Sequence, residues 1–523
     1  MKKNQKTIIY ILLTTFSLFT LSCTKDFTET NTDPIGQRDA EAHQLLAPAL
    51  VNVLNTNMVR NWNFNNQLMQ VTVEINDSEG RVFRYDVRRN LADYTWNNWY
   101  VNLTDLKNIH TIASKPESLN TSYQAISLIA QSWVYSLLTD TYGDVPYSQA
   151  NLGKDDIIQP AFDKQKDIYL DMFAKLEEAN QLLKNATPIV ATSDPVYQGD
   201  VAKWRRFGNS LYLRLLLRIA GKAEVSATTI AKIKQMVDTN PAEYPVFESN
   251  SHTARILWNG TNSSTAVYSS PFMVNIRAVD FRSMPVCDFF LGKLVNWEDP
   301  RVQPSLGTGG VPRFGIDRGA DGWVGISSGY AAGSGVIGQT HFNSDAETPA
   351  KLTLQTDQNT GIIMNSAEVY FIKAEAAARG YISGPVESYY YKGMAEAINY
   401  WMPTYITSPA DANFRNYVTE ANLLWDPTLP LDALAYGSKS QLETILIQKY
   451  YALFLVDFQQ WFDYRRTGHP TLPKGPGLVN GQRMPARLNY PLITQSTNPT
   501  SYKNAVASQG ADDINTLVWW QKP

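Results

Sequence analysis

The sequence predicts a mainly α protein: a scaffold of paired helices interrupted by a large loop-rich insertion. Three observations carry this expectation. Apolar residues recur at steps of three and four on both sides of the middle of the chain, the period of an amphipathic helix. Between about Glu248 and Leu354 that period is lost; Gly, Ser, Asn and Pro become frequent while aromatic residues persist. Cap and stop residues stand at the ends of the periodic stretches.

In chain order, residues 1–22 read as an export signal. Lys2, Lys3 and Lys6 precede an apolar stretch from Thr7 to Leu21, too short to span a bilayer comfortably. Thr20-Leu21-Ser22-Cys23 resembles a bacterial lipobox, departing from it at Thr20, where Leu is usual. Cys23 is therefore the expected lipidation site. No later stretch approaches about 18 consecutive apolar residues, so the lipid is the expected membrane attachment. The remainder, 23–523, reads as one domain: helical scaffold at 38–245 and 365–467, loop-rich ligand-side segment at 246–364, irregular C-terminal segment at 468–523.

Within the scaffold, Ile126, Ile129, Ala130, Trp133, Val134, Leu137 and Leu138 form a stripe that Gly143 stops. A second helix runs from about Asp163 to Lys184. A third runs from Val201 to Ala220, closed by Gly221, with Arg214 and Arg218 one turn apart on one face. Asn365 and Glu368 read as a capping box opening a helix that ends at Gly380. Its partner runs from Val386 to Trp401 and stops at Pro403; the pair is tetratricopeptide-like in length, with Gly393 and Ala395 allowing close approach. The longest expected helix opens with a capping box at Ser440 and Glu443 and continues unbroken to near Arg466.

Composition narrows the function. A net charge of -3 without long runs of one sign argues against nucleic acid as a partner. Thirteen Trp and 28 Tyr supply rings of the kind that stack on sugar faces or fill interfaces. Of the two cysteines, acylation of Cys23 leaves Cys287 without an intramolecular partner; among Pro285, Val286 and Phe289 it reads as a buried apolar filler.

Catalytic and metal constellations are hard to find. His43, His110, His252, His341 and His469 are widely spaced and form no HExxH, and His469, between Gly468 and Pro470, reads as a loop residue. Gly333 to Gly338 formally fits GxGxxG but lacks a preceding apolar strand. Asp357, Asn359 and Glu368 imitate a calcium loop, yet Gly361 and Ile362 occupy positions that need a ligand and a glycine. No metal or cofactor is expected. Carboxylate pairs for a glycoside hydrolase, Glu74 with Asp77 or Asp280 with Asp288, turn on a separation that only a structure gives.

Further segments stand out in order: Asn31-Thr32-Asp33-Pro34; Asp140 to Tyr147; Trp204 to Arg218 (WRRFGNSLYLRLLLR); Asp299-Pro300-Arg301; Glu368 to Gly380 (EVYFIKAEAAARG); Gln448 to Gly468, with QKYYALF and WFDYRRTG; Arg487 to Pro491; and Val518-Trp519-Trp520. Together they resemble the SusD/RagB-like outer-membrane nutrient-binding lipoproteins of Bacteroidetes, of the starch-binding-associated type, and the loop-rich insertion is then the implied ligand face. Eight such segments in order cover essentially the whole mature chain. The resemblance implies a helical frame, binding without catalysis, and a lipid-anchored place on the outer-membrane surface. It also implies a partner, a SusC-like TonB-dependent β-barrel transporter over which the protein sits as a lid. An oligosaccharide is the expected ligand, a peptide or other nutrient the alternative, a surface glycoside hydrolase the remote one. Most motif residues are expected to be structural: Gly143 and Pro146 in a turn, Asp140 and Asp144 on amides or arginines, Arg465 and Arg466 on carboxylates or carbonyls. Composition and loop position give the ligand-contact candidates Trp258, Phe272, Trp323 and Tyr330, with Trp62 and Arg81 from the N-terminal helical region.

Overall fold

Helices form where the sequence places its apolar periods, and they pack in consecutive pairs. The computed structural model describes residues 40–75, 80–261, 263, 265, 267–344 and 352–523. Residues 1–22, Cys23, Asn31 to Pro34 and Asp77 lie outside the described residues. Helix α1 (Ala42–Arg60) packs on α2 (Leu91–Ala113), α3 (Thr121–Tyr142) on α4 (Gln165–Leu182), and α5 (Val201–Ile219) on α6 (Ala223–Lys234). After the insertion, which carries α7 (Asp288–Asn296), α8 (Ser366–Ala378) packs on α9 (Val386–Trp401). Then follow α10 (Ala412–Glu420), α11 (Gln441–Ala452), α12 (Gln459–Thr467) and, in the C-terminal segment expected to be irregular, α13 (Pro499–Gln509). Pro499 opens α13 at its first turn, where a missing N–H costs nothing.

Helix α3 is buried on every side from Ala125 to Tyr142, not along one stripe, so it is the axis of the molecule. Asn120 caps it, its side chain accepting from Ser122 N and Tyr123 N at 3.1 and 3.0 Å. Gly143 ends it with φ +85°, a conformation that suits glycine. In the α8–α9 pair a Cβ at Gly393 would stand 3.0 Å from the Phe371 ring, so the glycine sets the close approach.

Strands are few and short, and one pair matters. Ala254–Ile256 pairs antiparallel with Gly361–Met364, joining the two ends of the insertion at its base. Inside, Phe281, Phe290, Phe314 and Phe342 are buried and continuous with the helical core.

The expected single helix from Ser440 to Arg466 is two. Between α11 and α12 the chain leaves helical geometry, with Leu455 at φ +68° and Asp457 at φ +30°. The break carries Phe454 into the insertion's aromatic cluster, 5.3 Å from Phe290, 5.1 Å from Phe314 and 5.7 Å from Phe342 between ring centroids. Tertiary packing thus overrides a continuous apolar period. Both expected capping boxes are half formed: Asn365 and Ser440 cap their helices, while Glu368 and Glu443 turn to other partners.

Buried charges tie the scaffold across the insertion. Arg214 of α5 grips Glu368 of α8 through two bonds of 2.6 Å. Arg218 reaches Asp463 of α12 at 3.2 Å and lies 3.5 Å from Asp140 of α3. Arg466 is bidentate on Glu375 at 2.6 and 2.7 Å, whereas Arg465 donates to the carbonyl oxygens of Ala486 and Asp140. Asp144 accepts from Gln165 N at 2.9 Å. These motif residues hold the frame.

Candidate ligand-binding face

An irregular stretch of chain still has to pair its backbone groups. Here three distant segments do so with one another. Val71 to Ile75 runs beside Ser283 to Cys287: Val73 N donates to Pro285 O at 2.9 Å, Ile75 N to Ser283 O at 3.1 Å, and Cys287 N to Val71 O at 2.9 Å. On the other side of that segment, Ile326 N donates to Val286 O at 3.1 Å and Val286 N to Thr340 O at 2.9 Å, while Thr340 N reaches Val324 O at 3.2 Å. This backbone mesh joins the N-terminal scaffold to the insertion, and three of the sequence candidates hang from it or beside it.

Arg81 forms an ion pair with Glu74, at the end of the first mesh segment. Tyr330 donates its hydroxyl to Glu74 O at 2.8 Å and stacks on Phe83 with centroids 5.0 Å apart. Arg84 completes that cluster, its guanidinium 4.7 Å over the Tyr330 ring and its Nε donating to Tyr330 O at 3.0 Å. Trp323 adjoins the far segment and is partly exposed, with the Arg318 guanidinium 5.7 Å over its ring. Beside it Gln339 donates to Asp321 at 3.0 Å. A partly exposed indole, guanidinium groups, a carboxylate and an amide are the groups that hold a sugar: an apolar face for its C–H groups and planar donors and acceptors for its hydroxyls.

The other candidates sit elsewhere. Trp62, Trp258 and Phe272 are 1%, 2% and 0% exposed. Trp62 packs among Phe281, Phe342 and Phe272, with ring centroids 4.6, 5.8 and 5.8 Å away. Rings closed in on all sides offer no face to a ligand, so these three belong to the hydrophobic core. Tyr330, 7% exposed, shows the surface little more than its edge. Sequence reasoning missed Glu74 as a partner of Arg81, and Arg318 and Gln339 beside Trp323; an arginine five residues before a tryptophan was the available signal.

The geometry bears on the catalytic alternatives too. Asp280 is bonded by Arg277, whose hydrogen bonds hold it below the usual carboxylate range. That is the opposite of the raised pKa a general acid needs. Asp288 accepts from Ser327 at 2.7 Å and Glu74 is paired with Arg81. Burial pushes the Cys287 thiol up to about 12, which suppresses its thiolate. Asp357 pairs with Arg313, and Gly333 and Gly335 turn in a loop with no strand before it. Among the described residues, no three or more His, Cys, Asp or Glu are grouped to hold a metal ion, and no helix is long and apolar enough to cross a membrane. A separate cleft of about 570 Å³, between residues 191–203 and 250–257, is lined by Asp194, Tyr197, Asn250, Arg255 and Tyr268; its Asp194 carboxylate is occupied by Trp204 Nε1 at 2.8 Å and by backbone amides.

Comparison with known proteins gives one family and many folds alike. The family model SusD-like, described as starch-binding and associating with the outer membrane, matches residues 35–491. A solved chitin-binding protein superposes with a TM-score of 0.71 at 22% identity, over 92% of this chain and 99% of its own. A SusD homologue from Bacteroides uniformis gives 0.71 at 22%, over 93% and 100%. A chitin-binding SusD homologue from Flavobacterium johnsoniae gives 0.70 at 21%, over 92% and 98%. At these identities the structures speak for the fold alone. No curated protein matches.

Proposed function

The chain belongs to the SusD-like family, and from that premise we propose that it captures an oligosaccharide at the outer-membrane surface and passes it on unaltered. What supports this reading is the chemistry of two pairs that each adjoin the mesh, Arg81 with Glu74 and partly exposed Trp323 with Arg318, from segments some 240 residues apart. Chitin and starch appear in the descriptions of the relatives and the family, which makes β-1,4-linked N-acetylglucosamine and α-1,4-linked glucose oligomers the first ligands to try. Acylation at Cys23 would tether the chain, and a TonB-dependent barrel of the SusC type is the partner over which it would sit as a lid.

Calorimetric titration of the protein with maltohexaose, chitohexaose and a peptide pool, with chromatography of the products, tests the reading. Saturable glycan binding without new products is expected, and Trp323→Ala should weaken it roughly 30-fold, the loss of about 2 kcal/mol from an aromatic anchor. Retention of peptides but no glycan would transfer the assignment to peptide capture; sugar turnover would make the protein an enzyme. In cells, Cys23→Ser should release the chain from the membrane fraction, and mild-detergent purification of the wild type should bring a larger barrel protein with it.

A further inference from the structure

Between α10 and α11 the chain crosses the surface as a strap, residues 421–440, which exposes Leu424, Leu431, Leu434 and Tyr436. Clefts of about 410 and 610 Å³ adjoin it, and Tyr436 and Thr471 line both, which makes them neighbours, a groove in two parts. Both volumes fall within the range of small-ligand sites, roughly 300–1,000 Å³. Trp297, Lys293, Asn422 and Lys439 line one end, Tyr464 and Lys474 the other. Trp297 is anchored by its packing on Tyr451, 5.6 Å away at 75°. Three aromatic residues with amide and ammonium groups between them repeat the chemistry of the first face, on parts of the chain that the mesh does not include.

The strap is pinned in two ways. Gln441 N and Leu442 N, donors of the first turn of α11, bond to Pro430 O and Leu431 O at 2.9 and 3.0 Å. The second pin is His469, a loop residue as expected, whose ring is fully buried. Its Nδ1 lies 2.7 Å from Glu443 and its Nε2 2.8 Å from Asp432. An ionised carboxylate only accepts, so both ring nitrogens have to donate, and only the imidazolium does that. Burial opposes the charge, but the bonds to Glu443 and Asp432 outweigh it and raise the His469 pKa above its usual value. Once neutral, the ring keeps one donor. Glu443 has a second partner in Thr471 N at 2.9 Å and sits at a helix N-terminus, so the bond to half-exposed Asp432 is the one that goes. Glu443 from α11 and Asp432 from the strap face the ring; Asp426 and Lys439 on the strap, Lys293 on α7 and Lys474 on the histidine's own segment line the surrounding groove.

We propose that this groove is a second saccharide-binding site, its wall formed by the strap and its shape held by protonated His469. The proposal rests on the glycan reading above for the class of ligand. Because folding raises the histidine's pKa, the strap is pinned at low pH and released as pH climbs through the raised value.

Titration with maltohexaose and chitohexaose at pH 6 and pH 9 reads this out. At pH 6 the wild type should bind at two sites, Trp323→Ala at the groove alone, and the Trp297→Ala/Tyr436→Ala double variant at the mesh face alone. Raising the pH to 9 should weaken the groove roughly tenfold and leave the mesh face less affected. Asp432→Ala, a change on the exposed strap, should weaken the groove at both pH values, with circular dichroism confirming the fold. Glycan binding that Trp323→Ala abolishes and the double variant leaves intact would overturn the second site while the proposed function stands. Binding at the groove with no pH dependence would overturn the pin, and failure of every glycan to bind would overturn both readings.

Discussion

Glu375 of α8 is a fully buried carboxylate between two guanidinium groups, Arg466 at 2.6 and 2.7 Å and Arg379 at 2.8 Å. Burial works against its charge, but the arginines prevail and hold its pKa at about 2. In the unfolded chain it returns to its ordinary value near 4.5. Below that value the unfolded chain takes up a proton that the folded one refuses, so the stability this residue lends is whole above pH 4.5 and drains away as pH falls toward 2. Glu375→Gln should therefore cost most near neutrality, about 3–5 kcal/mol for a buried pair stripped of one partner, and less than half as much by pH 3. Guanidinium denaturation at pH 3, 5 and 7 checks this; a deficit independent of pH would show that packing, not charge, is at stake. Sequence reasoning foresaw carboxylates or carbonyls as partners for Arg465 and Arg466. It had no means of telling which arginine took which, because the choice depends on helices over 80 residues apart.

At the scale of elements, Val386–Trp401 is where the sequence reading and the structure coincide residue for residue, because Pro385 and Pro403 bracket a clean apolar period. The α11–α12 break had no such local mark: Leu453, Phe454, Leu455 and Val456 are apolar and helix-compatible, and what bends the chain is a cluster of rings contributed by the insertion. The same blind spot hid the burial of Trp258 and Phe272, since a stretch rich in Gly, Ser and Asn reads as surface even when it folds over its own aromatics. Two substitutions test elements directly. Asn120→Ala, which removes the cap of α3, should cost about 1 kcal/mol. Gly393→Val should cost about 1–3 kcal/mol by forcing α8 and α9 apart. Thermal denaturation measures both, and a stabilising valine would contradict the close approach.

For the molecule as a whole, Ala42–Pro523 is one compact unit, and two buried ion pairs, Arg214–Glu368 and Arg218–Asp463, run between the scaffold before the insertion and the scaffold after it. The two halves should consequently unfold together. Far-ultraviolet circular dichroism and tryptophan fluorescence should trace a single coincident transition in urea, whereas Arg214→Met, which strands Glu368, should lower its midpoint without splitting it; two separated transitions would show that the halves are independent. The mesh belongs to this scale as well. Since Arg81 pairs with Glu74 and Trp323 directly precedes Val324, both adjoin hydrogen-bonded segments that sequence keeps far apart, and neither belongs to a loop that can be exchanged by itself. On the proposed reading, altering the ligand choice of this chain would mean exchanging residues 71–81, 283–287 and 318–340 as a set, because the backbone bonds couple them.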